Sequence, residues 1–354
     1  MAVSRSLIAP TTNPLLERAL LEKLHRRGEA AGRLGELEPL AVRLGLMQNT
    51  LKPRLRDPQM VLFAADHGIA VDGIAGPERR DTAAQVADLL AARLPVAVFA
   101  RSQQIALTVV DAGVAADLAA HDRLLMRKIA HGTRNARLTT AMTLEQAHAA
   151  MRAGMEIGDT LRGNALVCAG IGVGAHMSAA LLLSRLTDSS VRDLIVAGPQ
   201  MPSDELAHLL VLAQGAQGRH RELVEPIEVL AAFGGFEIAM MVGVMLVAAS
   251  KRHLLLIDGM AACAALMVAA RIAMPVTDYC VFCRSHGHRG LDRALALFQA
   301  SALLELGMDA TDGTGAALAF PLVRSAAALL TEVADGDDAG PSQPMGIDGR
   351  SADG

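Results

Sequence analysis

Five short apolar runs, each ending in a polar or glycine-containing turn, constrain this chain more than any other feature. Met60–Ala65 ends in Asp66-His67-Gly68, Ile105–Val110 in Asp111-Ala112-Gly113, and Ala165–Ala169 in Gly170-Ile171-Gly172-Val173-Gly174. Leu194–Ala197 ends at Gly198, and Leu254–Ile257 ends in Asp258-Gly259. Continuous apolar runs this short read as strands buried on both faces, which is the habit of parallel sheets. Helical stretches such as Thr143–Leu161, Ser203–Gln214 and Leu291–Leu306 lie between or after them. Strand, turn and helix in repetition predict an α/β fold, a Rossmann-like parallel sheet with helices on both faces. Open sheets of this kind take their ligands at the carboxyl ends of the strands. The turn residues are therefore the first candidates for function.

At the N-terminus, Asn13–Arg27 reads as a helix with Pro14 in its first turn and Leu15, Leu16, Ala19, Leu20 and Leu24 on one face. A second amphipathic helix begins near Leu37 within Gly32–Met47. Asp335–Gly354 is rich in Gly, Pro and Asp and is expected to be a disordered tail.

Composition narrows the classes of function. A formal net charge of −4 and 2% aromatic residues argue against nucleic-acid binding, which calls for a basic face and stacking rings. Four cysteines in 354 residues are too few for a disulfide framework, so a reducing cytoplasm is expected. Met1–Thr12 lacks the apolar core of a signal peptide. The longest apolar run, Ile238–Ser250, is short for a bilayer and is bracketed by Glu237 and Lys251, so a buried helix is expected and no membrane partner.

Four stretches carry candidate chemistry. In Gly307–Val323 a carboxylate, Asp312, precedes Gly313-Thr314-Gly315 and an apolar helix. The glycines allow close approach to a ligand and the helix amides favour an anion, although Asp312 could equally be an N-cap. Gly170–Gly174 follows a strand and opens a helix near Ala175, which suits a phosphate; close packing of strand on helix would explain it as well. Gly234-Gly235 opens another helix, where Glu237 could complement the dipole. Cys280, Cys283, His286 and His288 are ligand types that zinc accepts. All four crowd into nine residues, and an offset of three sends the two thiols to opposite faces of a strand, so no metal is expected. Asp66 and His67, adjacent at a strand end, project apart and are not expected to form a dyad.

Seven blocks in consistent order carry a family resemblance: GRLGELEPLAVRL, LFAADHGIAVDGI, VVDAGVAADL, GTRNARLTTAMTLEQAHAAM, FGGFEIAMMVGVML, IDGMAACAALMVAARI and LLELGMDATDGTGAALAFPLV. From about Gly32 to Val333 the chain resembles the nicotinate-nucleotide–dimethylbenzimidazole phosphoribosyltransferases of the cobalamin nucleotide-loop pathway. The resemblance implies a cofactor-free pentosyltransferase that moves phosphoribosyl from nicotinate mononucleotide to an aromatic base, giving α-ribazole phosphate. It implies a homodimer, with a related chain as an alternative partner. It also implies a nucleotide domain at 51–290 and a small helical domain built from 1–50 and 291–334. Asp312 stands at the family's general-base position, where the family carries Glu. Gly170, Ile171, Gly172, Gly174, Gly198, Gly234, Gly235, Asp258, Gly313, Thr314 and Gly315 fall at substrate-binding turns.

Other positions depart from the family. Cys168 and Val173-Gly174-Ala175 replace a Glu and an Asn-Thr-Thr, and Gly198-Pro199-Gln200-Met201-Pro202 replaces Gly-Arg-Gly-Thr-Gly. A phosphate-binding Lys falls near His208 or Leu209, a Ser becomes Ala75, and Cys283 and Ser285 stand for a His and a Ser-Ala-Glu. These departures leave open a transferase with an altered site, a paralogue for another azole or a phenol, and a partner or ligand-binding subunit.

Overall fold

Four of the five apolar runs form strands in the computed structural model, which describes residues 7–74, 81–197, 201–284 and 289–333, with 28–31 by backbone alone. The strands are β1 Gln59–Ala65, β2 Ala106–Gly113, β3 Leu124–Met126, β4 Ala165–Ile171, β5 Leu254–Ile257 and β6 Cys280–Phe282. They make one sheet in the order β3-β2-β1-β4-β5-β6, and every neighbouring pair is parallel. β4 and β5 are buried along their whole length, as the absence of alternation predicts.

Helices precede, link and follow the strands along the chain. α1 Pro14–Ala31 and α2 Leu37–Gln48 precede it, and α3 Thr82–Leu90 and α4 Pro95–Ser102 join β1 to β2. α5 Leu144–Thr160 leads into β4. From β4 to β5 run α6 Ala175–Thr187, α7 Val191–Leu194, α8 Ser203–Arg219, α9 Pro226–Phe233 and α10 Phe236–Ser250. α11 Met260–Ile272 joins β5 to β6, and α12 Arg289–Leu297 and α13 Thr314–Thr331 follow. Sequence chemistry sets the start of α5: Thr143 and Gln146 form a reciprocal capping box, which satisfies two amides at once. α10 is apolar all round and sealed in the core. It crosses α5 so closely that a Cβ on Gly154 would lie 2.0 Å from the Met240 carbonyl oxygen.

Two compact units divide the chain. The larger holds Met1–Thr12 and Leu55–Leu322, and therefore the whole sheet. The smaller holds Asn13–Arg54 and Val323–Gly354, where Arg27 donates to the Leu329 carbonyl and Lys23 to that of Leu51. α12 and the first half of α13 fall in the sheet-bearing unit.

Three expectations need correction or fall outside view. Leu194–Ala197 is not a strand: Leu194 closes α7, and its carbonyl accepts from His176 while Val196 accepts from the Gly290 amide. Two of the segment's carbonyls are thus met by α6 and α12 and not by a neighbouring strand. The helix expected over Leu291–Leu306 stops at Leu297, because Leu303 and Leu304 turn back to pair with Phe282 and Cys283. The expected tail lies outside the described residues. Two stretches, Thr82–Ser102 and Thr314–Thr331, match a membrane span in length and apolarity. The first breaks between α3 and α4, and in the second Ala316, Ala317, Ala319 and Phe320 are fully buried, so both serve the core.

Candidate active site

The strand order reverses between β1 and β4, and the crevice beyond the carboxyl ends at such a switch point is where open α/β sheets hold ligands. A pocket of about 380 Å³ opens at this edge. Gly170, Ile171 and Gly172 line it from β4, Met260 and Ala261 from the start of α11, and Arg284 from beyond β6. Asp309 and Asp312 face them from the segment before α13. A more open hollow of about 520 Å³ lies around Arg185 and Arg192. It sits at the far end of α6, about 18 Å along the helix from this edge, and Arg185 is bonded there to the carbonyls of Gln217, His220 and Arg221.

The acid is held by an unusual set of partners. Asp312 Oδ1 accepts from Arg284 Nη2 at 3.2 Å, and 22% of its side chain remains exposed. It does not cap α13. That task falls to Asp258, whose Oδ2 accepts from the Ala316 amide at 3.2 Å while Oδ1 accepts from Arg284 Nε at 2.6 Å. Burial pushes the Asp312 carboxyl up from its ordinary 3.8 to about 7. The Arg284 charge opposes that rise, and Asp258 and Asp309 add to it. Asp312 is thus a carboxylate poised near neutrality at the wall of a pocket, which suits an acid–base group.

The glycines of the sequence reading divide into two sets. Gly170 and Gly172 line the pocket, but both are also packed against protein. A Cβ on Gly172 would lie 1.8 Å from the Ala65 carbonyl oxygen, as follows from the β1–β4 register that pairs Ala64 with Ile171. Gly172→Ala must therefore push two core strands apart, and a loss of about 2–3 kcal/mol is expected from its urea denaturation midpoint. Gly174, Gly234 and Gly235 do not line the pocket; Gly234 packs on Leu230, and Gly235 on His67 and Glu237. Gly313 has φ +90°, the left-handed turn into α13 that a side chain resists. Gly315 leaves room for Arg284, and the Thr314 hydroxyl donates to the Thr311 carbonyl at 2.6 Å. Gly198, Pro199, Ala75, His286 and His288 lie outside the described residues.

The loop after β4 is less open than its glycines suggested. The Val173 amide donates to Thr82 Oγ1 at 3.0 Å, and that hydroxyl donates on to Asp66 Oδ1 at 2.5 Å. Asp66 and His67 do go to separate partners. His67 is buried, with Nδ1 2.8 Å from Ser178 Oγ and Nε2 2.9 Å from Glu237 Oε1. Glu237, in the first turn of α10, is fully buried beneath Gly170. Cys280 and Cys283 are buried thiols outside any disulfide, and their Sγ atoms donate to the Val276 and Val281 carbonyls. Among the described residues no group of three or more metal-ligating side chains gathers.

Arg284 escaped the sequence reading. It lies two residues beyond β6, so the strand-end rule that selected the other turns could have found it, but there it sat inside a run read for cysteine and histidine. His176, in the first turn of α6, and Gln85 of α3 also line the pocket and carried no sequence signal.

The arrangement defines a class first: a Rossmann-like α/β enzyme with a near-neutral acid facing a helix N-terminus across the switch-point crevice. The chain belongs to the nicotinate-nucleotide–dimethylbenzimidazole phosphoribosyltransferase family. The phosphoribosyltransferase family model matches residues 9–340. A curated relative of that name from Cupriavidus taiwanensis is 43% identical over 332 residues, covering 93% of this chain and 95% of its own. Another, from Janthinobacterium sp. (strain Marseille), is 38% identical over 342 residues, covering 95% and 98%. The crystal structure of the enzyme of that name from Thermus thermophilus superposes with a TM-score of 0.84 at 28% identity, over 94% of this chain and all of the other.

Proposed function

We propose that this protein transfers the 5-phosphoribosyl group of nicotinate mononucleotide to a ring nitrogen of a benzimidazole-type base, giving α-ribazole phosphate for assembly of the cobalamin lower ligand. The bond from C1′ to the nicotinate nitrogen breaks, a bond from C1′ to the acceptor nitrogen forms, and nicotinate leaves. The acceptor's ring N–H proton passes to Asp312. The single observation that carries this reading is the Asp312 carboxylate on the wall of the pocket that Gly170–Gly172 also line. α6 meets the pocket at its N-terminus, with Gly174 as an N-cap that offers no side chain to the first amides. The amides of that turn beyond Ala175, whose own N–H donates to the Gly172 carbonyl at 3.3 Å, are assigned to the donor phosphate. Gly313, Thr314 and Gly315 shape the turn, and Asp258 steadies it. The name shared by the relatives favours a benzimidazole over a phenol or another azole as acceptor. The enzyme is taken to act as a homodimer in the cytoplasm, without a cofactor; light scattering of the purified protein tests the dimer.

The test is release of nicotinate from nicotinate mononucleotide and dimethylbenzimidazole, with the ribotide product identified by mass spectrometry. No product at any pH would overturn the assignment. The raised carboxyl predicts a pH profile as well. Only the ionised acid accepts a proton, so kcat/KM, which reports the groups of the free enzyme, should fall roughly tenfold per unit below its midpoint. That midpoint is expected at about 7.

A further inference from the structure

Nothing regular holds the backbone that presents the acid. Residues 305–311 form neither helix nor strand. One side chain takes over that work. Arg284 Nη1 donates to the Met308 carbonyl at 3.0 Å, and Nη2 donates to the Ala310 carbonyl at 2.9 Å and to Asp312 Oδ1 at 3.2 Å. Its Nε is anchored on Asp258 at 2.6 Å. With four such bonds and 3% of the residue exposed, the guanidinium has little left to offer a substrate phosphate. The next turn even leaves space for it, since a Cβ on Gly315 would come within 2.8 Å of Arg284 Cγ.

We propose that Arg284 is a positioning residue for the reaction: it fixes the 308–312 segment and holds the Asp312 carboxylate in the orientation from which it takes the acceptor's proton. This rests on the reading of Asp312 as the base. A planar fork can serve two carbonyls and two carboxylates at once, and a lysine ammonium cannot reproduce that spread. The charge matters separately from the shape. Asp312 is faced by Arg284 from the end of β6, by Asp258 from the end of β5 and by Asp309 from its own segment. The Ala261 amide at the start of α11 donates to it, Cys263 lies on the same helix, and His176 lines the pocket from α6. Arg284 is the cation in this set that favours the ionised acid against burial and two neighbouring carboxylates. Removing it should therefore raise the pH at which the acid becomes usable.

The experiment compares pH profiles of kcat, and KM for nicotinate mononucleotide, in the parent, Arg284→Gln and Arg284→Lys. For Arg284→Gln the acid limb should move up by about one pH unit. Its plateau kcat should drop about tenfold or more while KM for the nucleotide changes by less than about threefold. Arg284→Lys should return the limb toward the parent and leave the plateau low. A merely structural arginine would lower stability without moving the limb, and an unmoved limb with a full plateau in either folded variant overturns the proposal. If neither variant folds, the parent decides: the Arg284 guanidinium NMR signals should shift with the midpoint of the acid limb, and Asp312→Asn should erase the shift. Absence of that transition in the parent also overturns the proposal. If Asp312→Asn is itself active, the base assignment fails instead. A dead Asp312→Asn beside an unaffected Arg284→Gln condemns the arginine's role alone.

Discussion

Asp312→Asn should reduce nicotinate release by about 10²–10⁴-fold, the range over which a positioned general base contributes. The substitution is close to isosteric, and its amide oxygen can still accept from Arg284, so the turn into α13 should survive. A carboxyl raised from 3.8 to about 7 by folding stabilises the native state least when ionised. Its contribution is complete below the unfolded value and is lost as pH rises through about 7. The asparagine variant lacks that loss. Its thermal midpoint at pH 8 should therefore match or exceed that of the parent; the gap should be smaller at pH 5 and close below the unfolded value of 3.8. Loss of activity with retained stability would separate a chemical role from a structural one. Activity within fivefold of the parent would mean that the proton leaves by another route and that Asp312 is only part of the wall.

The sheet was legible because buried parallel strands have to be continuous apolar runs, and β1, β4 and β5 were bounded to within two residues on that ground alone. Leu194–Ala197 shows the limit of the same rule. An apolar tetrapeptide has no way of declaring that its carbonyls will be met by His176 and by the Gly290 amide. β3, three residues at the sheet edge, was too short to leave a pattern. In the site, Asp312 was readable from its glycine turn. Its partners were not, because Arg284, Asp258 and Ala261 come to it from the ends of two strands and a helix distant in sequence. What packs against the glycines was hidden for a related reason. A sequence shows that a residue lacks a side chain, but not whether ligand or protein occupies the space. At Gly172 the occupant is the Ala65 carbonyl, at Gly235 it is the His67–Glu237 pair, and at Gly259 it is the Asp312 carboxylate itself.

That buried pair yields the largest expected effect on stability. Glu237→Ala should lower the free energy of unfolding by about 3–5 kcal/mol, since it strands one member of a buried polar pair. Both side chains have no exposed surface, and the atoms in contact are 2.9 Å apart. The carboxylate oxygens of Glu237 nevertheless find no well-aligned hydrogen bond among the described residues. Proximity to His67 and the start of α10 is then what offsets the desolvation of the acid. Alanine at 237 removes that partner and leaves a void beneath Gly170, so two penalties act together. Glu237→Gln keeps the volume and should lose less, about 1–2 kcal/mol. His67→Ala and Glu237→Ala combined should lose clearly less than the sum of the single changes, because the second truncation removes a group already stranded. Urea denaturation of the four proteins measures the cycle. Strict additivity would mean that the two side chains do not stabilise each other, and that His67 is held by Ser178 alone.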